Sequence, residues 1–168
     1  MSDNSNNAMK IQPSFTDLPP DEAMDDRVRR LKTPKDCLIF MKNAADRGRP
    51  DLAQQARRQA IRLRAHENEP KTPLERAWFE ALHAYEDVLA HRNGGPIRAS
   101  NIRPLLKKHG AREAIERALA ADGESSTYEL LKAVGLQDLS FESMVMRFPQ
   151  EFSAGVTDRA KASLASWA

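Results

Sequence analysis

A helical hairpin is predicted for residues 33–67, which read TPKDCLIFMKNAADRGRPDLAQQARRQAIRLRAHE. Thr33 followed by Pro34 is typical of a helix start, because the hydroxyl can accept a backbone N–H of the first turn and proline lacks the N–H that would go unpaired there. Gly48 is expected to end this helix, since glycine adopts the left-handed closing conformation without strain. Pro50 then opens a second helix.

Small apolar residues line one face of the second predicted helix, which allows it to pack closely on the first. The turn and this helix also follow the glycine-then-alanine spacing of a tetratricopeptide repeat, at Gly48, Ala53, Ala60, Ile61 and Leu63. Over roughly 16 residues they resemble half of one such repeat. The resemblance implies hairpin geometry and a scaffold suited to protein interaction.

The hairpin is basic. Residues 33–68 hold eight Lys/Arg and four Asp/Glu, a local charge of +4 against +2 for the whole chain. Arg58 and Arg62 lie four residues apart on one flank of the second helix, and Arg57 and Arg64 lie on the other. The cluster fits a surface for phosphate or for an acidic partner. It equally fits a solvated helix face whose arginine stems cover apolar edges.

A second basic segment spans residues 96–121 and predicts another pair of helices, separated at Gly110. DNA-binding helix-turn-helix units place their second helix in the major groove. Here that helix also carries Glu113 and Glu116, which would repel phosphate, so backbone contacts from the first helix are favoured over base reading. The basic residues of this segment that we expect to contact phosphate are Arg98, Arg103, Lys107, Lys108 and Arg112.

The chain as a whole predicts an all-α fold, because it is rich in Ala, Leu, Arg and Glu and poor in β-branched and aromatic residues. We expect a single small helical domain of about seven to eight helices, built from helical hairpins, over residues 27–168. Residues 1–26 are predicted to form a disordered acidic and polar tail. Trp78 should anchor the core on a helix that begins at Thr72 and Pro73.

Several classes of protein are disfavoured by what the sequence lacks. No apolar stretch approaches the length of a membrane span, and no secretory signal is visible. A single cysteine, Cys37, fits a reducing cytoplasm. There is no glycine-rich phosphate loop, no Cys/His cluster and no catalytic triad signature, and His83 and His91 lack the spacing of a helical metal site. We therefore expect a cytoplasmic, non-catalytic protein without metal or cofactor.

The leading functional prediction is nucleic-acid binding, with DNA preferred, in an accessory or regulatory role and through phosphate contacts from the two basic hairpins. The alternative is an adaptor that binds an acidic protein on a partly tetratricopeptide-like scaffold. Homo-oligomerisation is left open. The predicted contact residues are Arg57, Arg58, Arg62, Arg64, Arg98, Arg103, Lys107, Lys108 and Arg112.

Overall fold

The computed structural model describes residues 24–121 and 127–166, and within these residues the chain is helical with no strand. The predicted all-α class is confirmed. Eight α-helices are present in this part of the chain: α1 (Asp26–Arg29), α2 (Pro34–Asp46), α3 (Pro50–Glu67), α4 (Pro73–Asn93), α5 (Arg103–Ala121), α6 (Thr127–Lys132), α7 (Phe141–Arg147) and α8 (Ala154–Ser166). Short 3₁₀ turns lie at Gln137–Leu139 and Pro149–Glu151.

The helix ends follow the local signals in the sequence. Thr33 Oγ1 accepts the backbone N–H of Asp36 at 3.1 Å at the start of α2. Thr72 Oγ1 accepts the N–H of Glu75 at 3.1 Å at the start of α4, which ends against Gly94 in the left-handed conformation. These capping interactions confirm the predicted helix starts.

Gly110 divides α5 into two helical halves. Its backbone angles, φ 77° and ψ 167°, are non-helical, so residues 103–109 and 111–121 run in different directions. The break is a single residue, shorter than the three- to four-residue turn typical of a helix-turn-helix.

Helix α4 lies at the centre of the molecule and contacts α3, α5, α6 and α7. The largest cluster of buried side chains surrounds Trp78, which has no exposed surface and lies 5.3 Å, centroid to centroid, from the Phe141 ring. The predicted core anchor is therefore confirmed. A second cluster joins α3 to α4 and α6 through Ile61 and Leu131, among others.

The start of the helical domain lies slightly ahead of the predicted boundary. Met24 is buried against Val28 and Ala56, and Asp25 caps α1 by accepting the N–H of Arg27 at 2.9 Å. Residues 24–26 therefore pack with the domain, although their composition resembled the tail. The rest of the predicted tail, residues 1–23, lies outside the described residues.

The last helix also begins earlier than the sequence indicated. Thr157 followed by Asp158 is a typical helix-start pattern and predicts a start near Thr157, whereas α8 begins at Ala154. Ser153 supplies the reason, because its hydroxyl accepts the N–H of Val156 at 3.4 Å and so acts as the cap. None of the helices in the described ranges combines the length and the apolar character needed to cross a bilayer.

Candidate anion-binding groove

A groove of about 990 Å³ lies between α3, the beginning of α4 and the end of α7. Its described lining is strongly basic, and Glu80 is the only carboxylate residue in it. We call this surface the basic groove. The basic residues that line it are Arg29, Arg58, Arg62, His66, Lys71, Arg76 and Arg147.

Helix α3 supplies one wall of the basic groove. Arg58, Arg62 and His66 follow one another at intervals of four residues, so they form a single stripe along the helix. Arg76 belongs to the first turn of α4 and is exposed, and Arg147 ends α7. The positive lining is thus assembled from α1, α3, α4 and α7 and from the segment before α4, which are far apart in sequence.

Arg58 is held in place by the fold. Its two terminal nitrogens donate to the two carboxylate oxygens of Asp138 at 2.8 and 2.7 Å, and one of them also donates to the carbonyl of Gly135 at 2.7 Å. Gln54, one turn earlier on α3, donates to the carbonyl of Val134 at 2.9 Å. Arg58 therefore joins α3 to the segment after α6, and Asp138 neutralises part of its charge.

Arg147 and Glu80 are both half-buried in the groove and are not hydrogen-bonded to each other. Burial lowers the pKa of the Arg147 guanidinium, and the carboxylates of Glu80 and Asp138 oppose that shift. Burial raises the pKa of Glu80, while Arg147, Arg62 and Arg76 oppose the rise. The residual charge in this part of the groove is positive, because four arginines, Arg58, Arg62, Arg76 and Arg147, outnumber the carboxylates of Glu80 and Asp138.

Two predicted contact residues are instead paired inside the molecule. Arg57 Nε donates to Asp87 at 2.7 Å, with both side chains about nine-tenths buried. Arg103 donates from Nε and Nη2 to the Glu86 carboxylate at 2.7 and 2.6 Å, and that carboxylate also accepts the N–H of Ala99 at 2.8 Å. The Arg57 pair joins α3 to α4, and the Arg103 pair joins α5 to α4. Both pairs therefore stabilise the domain.

The remaining predicted residues lie outside the groove lining. Arg64 is half-buried on α3, whereas Arg98, Lys107, Lys108 and Arg112 are exposed on α5 and the segment before it. Within the described ranges, these four exposed side chains make no hydrogen bond or ion pair with the protein. Of the nine predicted residues, the structure brings only Arg58 and Arg62 into the basic groove.

Sequence reasoning missed five of the groove residues. The four-residue spacing of Arg58, Arg62 and His66 was a readable signal that His66 shares their face. Arg29, Lys71, Arg76 and Arg147 carried no such signal, because only the packing of α1, α4 and α7 against α3 brings them together.

Other titratable groups are placed where reactive chemistry is disfavoured. Cys37 is buried, and burial raises the pKa of its thiol. His83 Nε2 donates to Asn68 Oδ1 at 2.7 Å, and burial lowers the pKa of His83 to about 4. The described residues contain no group of three or more His, Cys, Asp or Glu side chains arranged to hold a metal ion.

Comparisons with known proteins add no further assignment. The chain matches no protein-family model, no curated protein and no solved structure. Function is therefore inferred from the geometry and charge of the basic groove.

Proposed function

We propose that this chain is a non-catalytic nucleic-acid-binding protein that holds backbone phosphates in the basic groove, with DNA as the expected ligand and an accessory or regulatory role. One observation carries the proposal: the described lining has six Lys/Arg side chains and a histidine against a single carboxylate. Arginine presents a planar set of donors that matches phosphate oxygens. Binding would neutralise phosphates and release counterions, which makes affinity strongly dependent on salt.

The dimensions of the basic groove suit part of a strand. Its volume of about 990 Å³ is close to the upper end of small-ligand pockets, roughly 300–1,000 Å³. A few nucleotides would fill it, so the rest of a longer ligand must run over the outer surface. Lys107 and Lys108 on α5 are exposed and offer further phosphate contacts there.

The adaptor alternative receives less support from the surface. A groove for an apolar helix would need a contiguous exposed apolar patch. Among the large hydrophobic side chains of the described residues, only Ile39 is exposed, at 52%. An acidic peptide would instead use the same basic groove, so it is included in the test.

The test is a fluorescence-anisotropy titration with a random-sequence duplex and a single strand, each at about 50 and 200 mM salt. We expect saturable binding that weakens steeply between these conditions. Arg62→Ala/Arg76→Ala should weaken binding and lower the salt slope by about 2, since two phosphate contacts are removed. The matched control is Arg159→Ala/Lys161→Ala, which removes the same charge from the exposed side of α8.

The outcomes separate the proposals. Equal losses from the groove variant and the α8 control would show that the groove is not the binding surface. No binding to either nucleic acid at low salt would overturn the proposed function, and an acidic peptide would then be titrated in the same assay. If Lys107→Ala/Lys108→Ala lowers the affinity further when it is combined with the groove variant, α5 is a second contact surface.

A further inference from the structure

Arg147 lines the basic groove and carries a guanidinium edge without a partner among the described residues. Its Nε and Nη2 atoms are closed to solvent and have no hydrogen-bond partner among the described residues. The charged group is held near the Phe148 ring, with Cζ 5.8 Å from the ring centroid. A buried donor without an acceptor costs free energy, so a ligand that supplies an acceptor here gains that free energy on binding.

The same edge of other arginines in this chain binds pairs of carboxylate oxygens. Arg103 uses Nε and Nη2 to hold Glu86 at 2.7 and 2.6 Å. Arg49 uses the same two atoms to hold Asp51 at 3.0 and 2.7 Å. The unpaired edge of Arg147 is therefore the one that matches two oxygens of a carboxylate or a phosphate.

The two carboxylates that act electrostatically on Arg147, Asp138 and Glu80, do not occupy this edge. Both oxygens of Asp138 accept hydrogen bonds from Arg58. Glu80 makes no hydrogen bond or ion pair within the described residues, and burial raises its pKa. An anion that enters the basic groove therefore has no protein carboxylate to displace from Arg147.

We infer that Arg147 recognises the terminal phosphate of a nucleic-acid strand, a proposal that rests on the nucleic-acid-binding function above. An internal phosphodiester is flanked by sugars on both sides, and it offers two free oxygens and one charge. A terminal phosphate monoester offers three oxygens and up to two charges, since its second pKa is about 6. It can also enter the groove end-on, toward an edge that is closed to solvent.

Binding would include a movement of the Arg147 side chain. Because Nε and Nη2 are not exposed, the guanidinium must turn toward the groove as the phosphate enters. After the movement, Nε and Nη2 would each donate a charge-assisted hydrogen bond to the phosphate. Before it they have no acceptor among the described residues, so the gain favours the movement. Arg76, which is exposed at the groove, would supply a further cation to the same phosphate.

The experiment compares three single-stranded oligonucleotides of one sequence, with a 5′-phosphate, a 3′-phosphate or hydroxyls at both ends. Anisotropy should show the wild-type protein binding one phosphorylated end about tenfold more tightly than the hydroxyl-ended strand, a difference typical of one charge-assisted contact. Arg147→Met should remove that preference, so that the variant binds the three strands with equal affinity. Arg147→Lys keeps the charge without the planar pair of donors, so this variant should lose most of the preference for the phosphorylated strand.

A matched control and a stability measurement complete the design. Arg112→Met removes an exposed arginine outside the groove and should keep the preference. Thermal unfolding of Arg147→Met should give an unchanged or higher Tm, because an unpaired buried cation is replaced by an apolar side chain. A merely structural arginine would instead lower Tm on substitution.

The possible failures can be told apart. If the wild type binds all three strands with equal affinity, the terminal-phosphate inference is overturned while the proposed groove function stands. The inference is also overturned if Arg147→Met or Arg147→Lys keeps the full preference. Absence of binding to every strand overturns both proposals. Competition by a mononucleotide or inorganic phosphate at the same concentration as the oligonucleotide would show that the site takes free phosphate rather than a strand end.

Discussion

His83 is a neutral imidazole buried between α4 and the linker that precedes it. Its Nε2 lies 2.7 Å from Asn68 Oδ1, and its Nδ1 lies 3.9 Å from a Glu86 oxygen. Burial lowers its pKa from 6.5 to about 4, Glu86 opposes the shift and Arg103 adds to it. Between pH 6.5 and 4 the unfolded chain therefore binds a proton that the folded chain does not, so folding stability must fall as the pH is lowered through this window.

The substitution His83→Gln should flatten this pH dependence. Glutamine can still donate to Asn68 but does not titrate. Across the window the wild type should lose about 2 kcal/mol more than the variant, less than for a fully enclosed group because part of the ring is near water. Urea denaturation at pH 7, 5.5 and 4.5 measures the difference, and parallel curves for the two proteins would contradict it.

At the scale of the element, Gly110 sets the shape of α5. Its φ of 77° and ψ of 167° belong to a region that only glycine occupies readily, and an added Cβ would meet no atom within 4 Å. The constraint at this position is thus backbone conformation rather than space.

Replacing Gly110 by alanine should lower the free energy of unfolding by about 1–3 kcal/mol, because the backbone would have to keep a conformation that is strained for an L-residue. The matched control is Gly155→Ala in α8, where φ is not left-handed and the space is also open. That substitution should raise stability by about 0.5 kcal/mol through the unfolded state. Chemical denaturation of both variants tests the contrast, and equal effects would show that the Gly110 conformation is not a constraint.

The elements were largely predictable because their boundaries are set by neighbouring residues. Thr33 and Thr72 cap within three residues, and Gly48 adopts a positive φ directly after its helix. The start of α8 was placed three residues late, since Ser153 acts as a cap through its side-chain oxygen while Thr157 and Asp158 gave the stronger pattern in the sequence. Local sequence signals therefore predict the presence of a helix more accurately than they predict its first residue.

At the scale of the whole molecule, α3 is fixed to the C-terminal half by contacts that span about 80 residues. Arg58 binds Asp138 with both side chains mostly buried, and Gln54 binds the carbonyl of Val134. The basic groove depends on this connection, because one of its walls is α3 and Arg147 lies on the other side.

Asp138→Asn should therefore separate folding stability from ligand affinity. Loss of the charged acceptor should cost about 1–3 kcal/mol of stability. The same change leaves Arg58 without its compensating charge, so affinity for DNA should rise, with a salt slope steeper by up to about 1. Denaturation and anisotropy on one preparation measure both quantities.

The matched control is Asp46→Asn, which also removes one negative charge but disrupts only the exposed Lys42–Asp46 pair. It should leave both stability and affinity close to wild type. A variant at Asp138 that weakens binding would show that Arg58 acts on the ligand only when Asp138 positions it.

The candidate site could be predicted less well than the fold, because the charged residues and their hydrogen-bond acceptors are far apart in the sequence. The sequence places Arg57, Arg58 and Arg103 among exposed cations, but their acceptors lie 30, 80 and 17 residues away. No local pattern identifies such pairs. Counting charges in the sequence therefore could not distinguish arginines that stabilise the domain from arginines that line the groove. It also missed Arg147, because that residue joins the groove only when α7 packs against the rest of the domain.

The span of the groove lining, from Met24 to Phe148, has a consequence for the time at which the groove forms during synthesis. The basic hairpin is complete at Glu67, whereas the last lining residues are added 81 positions later. At about 5–20 residues per second, the ribosome takes roughly 4–16 seconds to cover that distance. An unfinished chain therefore carries the arginines of α3 without the opposite wall, and the basic groove cannot form before residue 148 has been synthesised.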